Sequence, residues 1–300
     1  MQETTSFEAL FDPGNAADFF QIDNLPAFDP AATTAYLRGN ALWLVEICRL
    51  VYRQDAPSRR EFFRRRAGLE EIRFFDQQAT QGALLSGKNF AVLAFRGTLG
   101  LRDWLADFDF PPVPWRGEGR VHQGFKDQLD PVWEDVKAEL NKINVPVFYT
   151  GHSLGAALAT LTAASRFLDG GAPPAALYSF GSPRVGTTRF MQAFPSGFLH
   201  CRVSNDRDIV PTVPPPALGL LTGSPFHHVG IPHHIERDGR LRRGKLNQDD
   251  GITGPFAELF EGFAFWRDKL AEILESKGAS LTEKLTDHAP VNYTARIEKA

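Results

Sequence analysis

The sequence predicts an α/β protein with a mostly parallel central sheet and helices on both of its faces. Three observations predict it. Strand-like and helix-like segments alternate through the middle of the chain. The segments 89–95 and 145–150 are apolar almost throughout, as strands covered on both faces must be. No internal repeat and no low-complexity linker divides the 300 residues, so 1–300 reads as a single domain.

The elements follow in order. Residues 1–29, rich in Asp, Pro and Phe, read as an irregular N-terminal arm. From 30 to 52, Leu42, Leu44, Val45, Ile47, Cys48 and Val51 recur at helical spacing and predict a long packed helix. Segments 72–75, 82–86 and 89–95 read as a meander of strands. Phe125, Leu129, Val132, Val136 and Leu140 predict a helix over 123–140. A strand at 145–150 runs into a helix of small residues at 156–168. Strands at 175–180 and 198–203 flank a short helix at 188–193, and 227–235 reads as an edge strand ending in the Asp238-Gly239 turn. The tail, 255–300, reads as two helices, 255–276 and 281–297.

Composition excludes several classes. A hydrophobic fraction of 43% with 23% charged residues suits a packed globular core. A formal net charge of −3 implies no nucleic-acid partner, and the cluster Arg59, Arg60, Arg64, Arg65, Arg66 reads as a solvated helix face. Cys48 and Cys201 are too few for a disulfide framework, though one bridge between them stays open. The first nine residues show neither a basic nor an apolar leader region, and no run approaches the length of a membrane span. A soluble chain with at most peripheral lipid contact is expected.

The strongest chemical signal is Gly151-His152-Ser153-Leu154-Gly155. Composition alone yields a G-x-S-x-G match in roughly one chain in ten of this length. Its context raises it: an apolar strand precedes the pentapeptide and a small-residue helix follows, the strand–turn–helix setting of a nucleophile elbow. A serine hydroxyl is a poor nucleophile until a base, itself oriented by a carboxylate, takes its proton. In this arrangement the acid and then the histidine come later in the chain.

For the acid, Asp206 and Asp208 both follow the buried strand at 198–203, at the sheet end where the chemistry of open α/β sheets sits. Asp208 abuts Ile209-Val210 and suits a buried role, whereas Asp206 reads as an exposed turn residue. For the histidine, chain order removes His122, His152 and His200 and leaves His227, His228, His233, His234 and His288. Adjacent histidines on a strand point to opposite faces, and no H-E-x-x-H is present, so no metal site is expected among them. His288, in a loop opening the last helix, leads slightly.

With these pieces the chain resembles the class 3 lipases, the family of the filamentous-fungal triacylglycerol lipases and their bacterial relatives. The resemblance runs from about Ala41 to Tyr293. It is carried by Ala94-Phe95-Arg96-Gly97-Thr98 with Asp103-Trp104-Leu105-Ala106-Asp107, by Val121-His122-Gln123-Gly124-Phe125, by 150–158, by 180–186 and by 205–211. It implies an α/β-hydrolase fold, Ser153 as nucleophile and Asp208 as acid. It also implies an oxyanion hole formed by Thr98 with the Leu154 backbone N–H. The Asp287-His288 pair followed by Tyr293 looks like the family's histidine context and implies His288 as the base.

The resemblance further implies a lid after Thr98, carried here by Leu99, Leu101, Trp104 and Leu105. The activity it implies is carboxylic ester hydrolysis of acylglycerols, without metal or organic cofactor. Phospholipase A1 and feruloyl or short-chain esterase are the alternatives within that chemistry. A non-catalytic scaffold that binds lipid or a protein partner is the alternative outside it. The aromatic run Phe256, Phe260, Phe263, Phe265, Trp266 reads chiefly as core, and the longer Asp208-to-His288 spacing leaves the acyl site open to reshaping.

Overall fold

In a computed structural model, residues 19–22, 24–98, 111–214, 224–247 and 285–300 are described. The anticipated arm before residue 19, the lid candidates Leu99, Leu101, Trp104 and Leu105, and the tail helix 255–276 lie outside the described residues.

An eight-stranded sheet forms the middle layer, in the order β1-β2-β3-β6-β7-β9-β11-β12. Its strands are β1 (Glu70–Gln77), β2 (Thr80–Ser86), β3 (Ala91–Phe95), β6 (Val147–His152), β7 (Ala176–Phe180), β9 (Leu199–Asn205), β11 (Ile231–Ile235) and β12 (Leu241–Arg243). The run β3-β6-β7-β9-β11 is parallel, while β1, β2 and β12 pair antiparallel at the two ends. Each helix crossover therefore returns the chain to the same end of the sheet, where the strand-end loops collect.

Strand pleating sorts the core. On β3, Leu93 and Phe95 join the layer that packs against α3 (Gln123–Leu140) and α4 (Leu154–Leu168), while Val92 and Ala94 face the layer with α1 (Arg38–Val51). The last helix, α6 (Pro290–Lys299), packs on α1 in that second layer through Tyr293 and Ile297. Two short α-helices, α2 (Ala56–Phe62) and α5 (Thr188–Ala193), are also present.

The contact of α1 with α6 has a polar centre. Glu46 is fully buried and pairs with Arg49 on the same helix; its other donors are Thr294 Oγ1 at 2.6 Å and the Phe20 backbone N–H at 2.6 Å. A buried carboxylate survives desolvation only with such a set of partners, and removing one side of it leaves the other uncompensated.

Several expectations change. The stretch 227–235 is not one edge strand. Phe226–His227 forms β10 in a separate four-stranded sheet, β10-β8-β5-β4, with β8 (Gly186–Thr187), β5 (Arg120–His122) and β4 (Pro112–Pro114). Ile231–Ile235 is instead internal, between β9 and the antiparallel β12, because the Asp238-Gly239 turn folds the chain back beside it. The helix anticipated over 281–297 is interrupted: Leu285 and Thr286 are helical, 287–289 form a turn, and α6 begins at Pro290, since Ala289 before it is extended (φ −60°, ψ 133°) as a residue preceding proline prefers. Arg59 is not solvated: only 2% exposed, it pairs with Glu71 and lies over the Phe74 ring at 3.6 Å. Arg60 and Arg65 do face solvent. Cys48 and Cys201 are both free and buried.

Replacing Glu46 by Ala is expected to cost about 3 kcal/mol. Thermal denaturation and amide exchange in α6 measure it; an unchanged Tm with protected α6 amides would show that Glu46 does not tie the two helices.

Candidate active site

The site is built at the carboxyl end of the parallel strands. β6 ends at His152 and α4 begins at Leu154, leaving Ser153 alone in the turn with φ 59° and ψ −129°. A non-glycine residue at positive φ is strained, and such strain persists only where packing enforces it. Here the enforcement is steric. A Cβ added to Gly151 would lie 2.1 Å from Gly155 O, and one added to Gly155 would lie 2.2 Å from Phe95 O. The glycines let α4 start directly against β3 and β6. The Ser153 N–H donates to Phe180 O at 2.9 Å, which fixes the turn to β7.

Both candidate acids lie in the loop after β9. β9 ends at Asn205, Asp206 turns at φ 36° and pairs with Arg237 on the surface, and Asp208 is fully buried. Asp208 Oδ1 accepts the Val210 N–H at 2.8 Å. Its Oδ2 accepts from His288 Nδ1 at 2.8 Å and from Tyr293 Oη at 2.6 Å. Tyr293 comes from the first turn of α6, so the helix that ends the chain also buttresses the carboxylate.

His288 is 2% exposed and lies in the turn before α6. Because Nδ1 is engaged by Asp208, Nε2 is the atom left to work on a substrate. Among the described residues neither His288 Nε2 nor Ser153 Oγ makes a hydrogen bond, so the serine–histidine contact is open here. The ring of His152, the residue before Ser153, lies with its centroid 4.5 Å from that of His288. Catalytic hydrogen bonds are often long without substrate and tighten in the complex.

Gly181, at the end of β7, leaves room for this histidine. A Cβ there would lie 2.8 Å from His288 Cε1 and 2.9 Å from Asp208 Oδ2, and the residue holds φ 58°. The turn of Asp287 is clamped to the acid loop. Asn205 Nδ2 donates to Asp287 O at 2.8 Å and the Arg207 N–H donates to Asp287 Oδ2 at 3.3 Å. Burial, with Asp206 and Asp208 nearby, pushes the Asp287 carboxyl up to about 6.

The other histidine candidates are occupied elsewhere. His227 Nε2 pairs with Thr188 Oγ1, and His228 Nε2 donates to Pro211 O. His233 Nδ1 donates to Ile231 O and its ring stacks on Tyr36, while His234 Nδ1 pairs with Ser204 Oγ. Among the described residues no group of three His, Cys, Asp or Glu is placed to hold a metal ion.

The loop after β3 runs against the elbow. A Cβ on Gly97 would lie 2.9 Å from Ser153 Cβ, so Gly97, the residue before Thr98, lies against the nucleophile candidate. Leu154 opens α4, with its N–H at the positive end of the helix. Sequence reasoning missed Tyr293 as a donor to the acid, Gly181, and Tyr52, which contacts His152 from the end of α1. The glycine at the end of an apolar strand was a readable signal for the second of these.

A strained serine turn after β6, an acid after β9 and a histidine bonded to it define the class: an α/β-hydrolase with the geometry of a serine hydrolase. The family model Lipase (class 3) matches residues 92–218. The secreted mono- and diacylglycerol lipase A of Penicillium cyclopium is 34% identical over 203 residues, covering 64% of this chain and 66% of the lipase. The lipase of Rhizomucor miehei is 36% identical over 140 residues, 43% of this chain and 39% of that protein. Phospholipase A1-II 6 of Oryza sativa is 32% identical over 190 residues, 50% and 44%. The chain thus spans about two thirds of the Penicillium relative and less than half of the other two. Among solved structures, the triacylglycerol lipase of Rhizomucor miehei superposes with a TM-score of 0.54 at 28% identity, covering 66% of this chain and 78% of that one. A triacylglycerol lipase described as having a serine-protease triad at its catalytic centre gives 0.61 at 24% identity, covering 75% and 92%, and supports the fold. The chain belongs to the class 3 lipase family.

Gly181→Ala is expected to lower kcat about 100-fold on a soluble ester by displacing His288, with the circular dichroism spectrum intact. Wild-type kcat would show that the ring has slack at this point.

Stability has a predictable acid limb. Burial lowers His122 and His200 to about 3 and holds His152 and His228 well below the usual histidine range. The unfolded chain takes up these protons first, so stability falls as pH drops below about 6.5 and keeps falling toward about 3. At pH 5 the loss is roughly 2 kcal/mol for each of His122 and His200, with Asp287 offsetting part because its raised value runs the other way. Urea midpoints between pH 7 and pH 4.5 test it; a flat series would place these imidazoles in contact with water.

Proposed function

We propose that the protein is a serine carboxylic-ester hydrolase that cleaves acylglycerol esters through an acyl-enzyme. The observation that carries this reading is the 2.8 Å bond from His288 Nδ1 to the buried Asp208, which leaves Nε2 as the ring's working atom. Ser153 Oγ attacks the ester carbonyl while His288 Nε2 takes its proton. Asp208 holds the tautomer and stabilises the imidazolium. The N–H of Leu154 and Thr98 hold the developing oxyanion, a contribution of about 2.7–4 kcal/mol per donor. His288 then returns the proton to the departing alcohol, and a water activated by the same nitrogen releases the acid. The chemistry needs no metal or organic cofactor.

Acylglycerols are the favoured substrate because the Penicillium relative is named for mono- and diacylglycerols and the Rhizomucor structure for triacylglycerol. A second reading, phospholipase A1 activity, is favoured by the rice relatives. Contact with substrate at a lipid surface would be peripheral, since among the described residues no helix is long and apolar enough to cross a membrane. A related fungal lipase–inhibitor complex, 28% identical, has been described as a model for interfacial activation.

Hydrolysis of p-nitrophenyl esters of graded chain length tests the triad. Ser153→Ala and His288→Ala are each expected to lower kcat at least about 10⁴-fold in a folded protein. A His288→Ala variant with wild-type turnover would remove His288 as the base. Emulsified diacylglycerol against phosphatidylcholine decides between the two substrate readings, and a rate that rises above the solubility limit of the ester supports action at an interface.

A further inference from the structure

His152 has no role in the proposed acyl transfer, yet it is nearly inaccessible and sits between two elements of the site. Its Nε2 lies 2.8 Å from the His288 carbonyl oxygen, which can only accept, so the proton is on Nε2. Burial holds the ring well below the usual histidine range and keeps it neutral, so Nδ1 carries a lone pair. Tyr52 Oη lies 3.0 Å from that Nδ1 and must be the donor. The same hydroxyl accepts the backbone N–H of Gly97. One unbroken chain results: Gly97 N–H to Tyr52 Oη, Tyr52 O–H to His152 Nδ1, and His152 Nε2–H to the carbonyl of His288.

The steric record places these groups at one point. A Cβ on Gly97 would meet Tyr52 Oη at 2.3 Å, His152 O at 2.8 Å and Ser153 Cβ at 2.9 Å. Tyr52 is 4% exposed and follows α1, the helix that Glu46 ties to α6. The hydroxyl therefore touches the loop that leads to Thr98, while the imidazole it orients holds the main chain of the proposed base.

We propose that Tyr52 and His152 are a positioning pair for the reaction: the tyrosine hydroxyl fixes the His152 tautomer, and His152 sets the His288 main chain in register with the Gly97–Thr98 loop. The inference rests on the reading of Ser153, His288 and Asp208 as the triad. Neither side chain touches substrate. Each acts through the groups that do, as partners that hold a reacting side chain in place commonly act.

The test uses the full chain, ¹⁵N-labelled, as wild type, Tyr52→Phe, His152→Gln and the double variant. The glutamine amide can still donate to the His288 carbonyl but has no lone pair at the position of Nδ1. Tyr52→Phe is expected to lower kcat on a soluble p-nitrophenyl ester about 10-fold, with KM little changed. The His152 Nδ1 resonance, identified by its loss in His152→Gln, should move downfield in Tyr52→Phe as it loses its donor. On the His152→Gln background, Tyr52→Phe should add no further loss, because the tyrosine acts through the imidazole. Losses that multiply, an unmoved Nδ1 resonance, or wild-type kcat in Tyr52→Phe would each overturn the pairing. Ser153→Ala measured in parallel separates the two readings: an active Ser153→Ala removes the proposed nucleophile, while the Nδ1 resonance still reports whether Tyr52 donates to His152.

Discussion

The carboxylate of Asp208 has no access to solvent, and most of the site's geometry can be traced to the way it is satisfied. Taking an ionised carboxyl out of water costs several kcal/mol after relaxation. The chain meets that cost with donors from three places: the Val210 N–H of its own loop, His288 Nδ1 and Tyr293 Oη. Two of the three come from residues 80 and 85 positions on in sequence. The turn of His288 and the start of α6 are therefore held at the sheet by the acid's need for donors. The histidine's tautomer is a consequence of the same bond, since a carboxylate can only accept.

The elbow obeys a different constraint, steric in origin. Ser153 takes a backbone conformation that side chains disfavour because α4 has no room to begin anywhere else. Gly151 and Gly155 let two strands and a helix approach within a distance that a methyl group would prevent. The strain at one residue is offset by the apolar contacts of α4, whose alanines and leucines pack against β3, β6 and β7. Electrostatics thus places His288 and packing places Ser153, and the two are set by different parts of the sequence.

That division explains what could be read in advance. The parallel strands were legible because burial on both faces demands uninterrupted apolar runs, as in Ala91–Phe95 and Ala176–Phe180. The elbow was legible because sterics demand glycine at fixed offsets. The second sheet was not, since Gly186–Thr187 and Phe226–His227 are too short to show a period of two. Ile231–Ile235 looked terminal because the Asp238-Gly239 turn follows it, but only the pairing with β12 decides whether a strand is an edge. The break before α6 is written in Ala289-Pro290, which interrupts a stretch whose apolar spacing alone reads as one helix. Arg59 shows the limit of reading charge locally: its neighbours are solvated, and its own fate turns on Glu71, a residue on another element. Spacing could not choose among five histidines; the resemblance to known lipases pointed to His288, and the structure accounts for the other four by giving each a bonding partner of its own.

His152 illustrates why a local motif understates its own residues. Within the pentapeptide it occupies a variable position, and chain order rules it out as a base. Its surroundings are three segments far apart in sequence: the end of α1 through Tyr52, the loop after β3 through Gly97, and the turn before α6 through the His288 carbonyl. A neutral imidazole is suited to that place because it donates from one edge and accepts at the other, in a plane and with no charge to solvate. A lysine would bring a charge that this much burial disfavours, and an aliphatic residue would leave a carbonyl and a hydroxyl unpaired, each at a cost of about 1–3 kcal/mol. The same burial that makes His152 unfit to shuttle protons suits it to hold the main chain of His288, the residue proposed to do so.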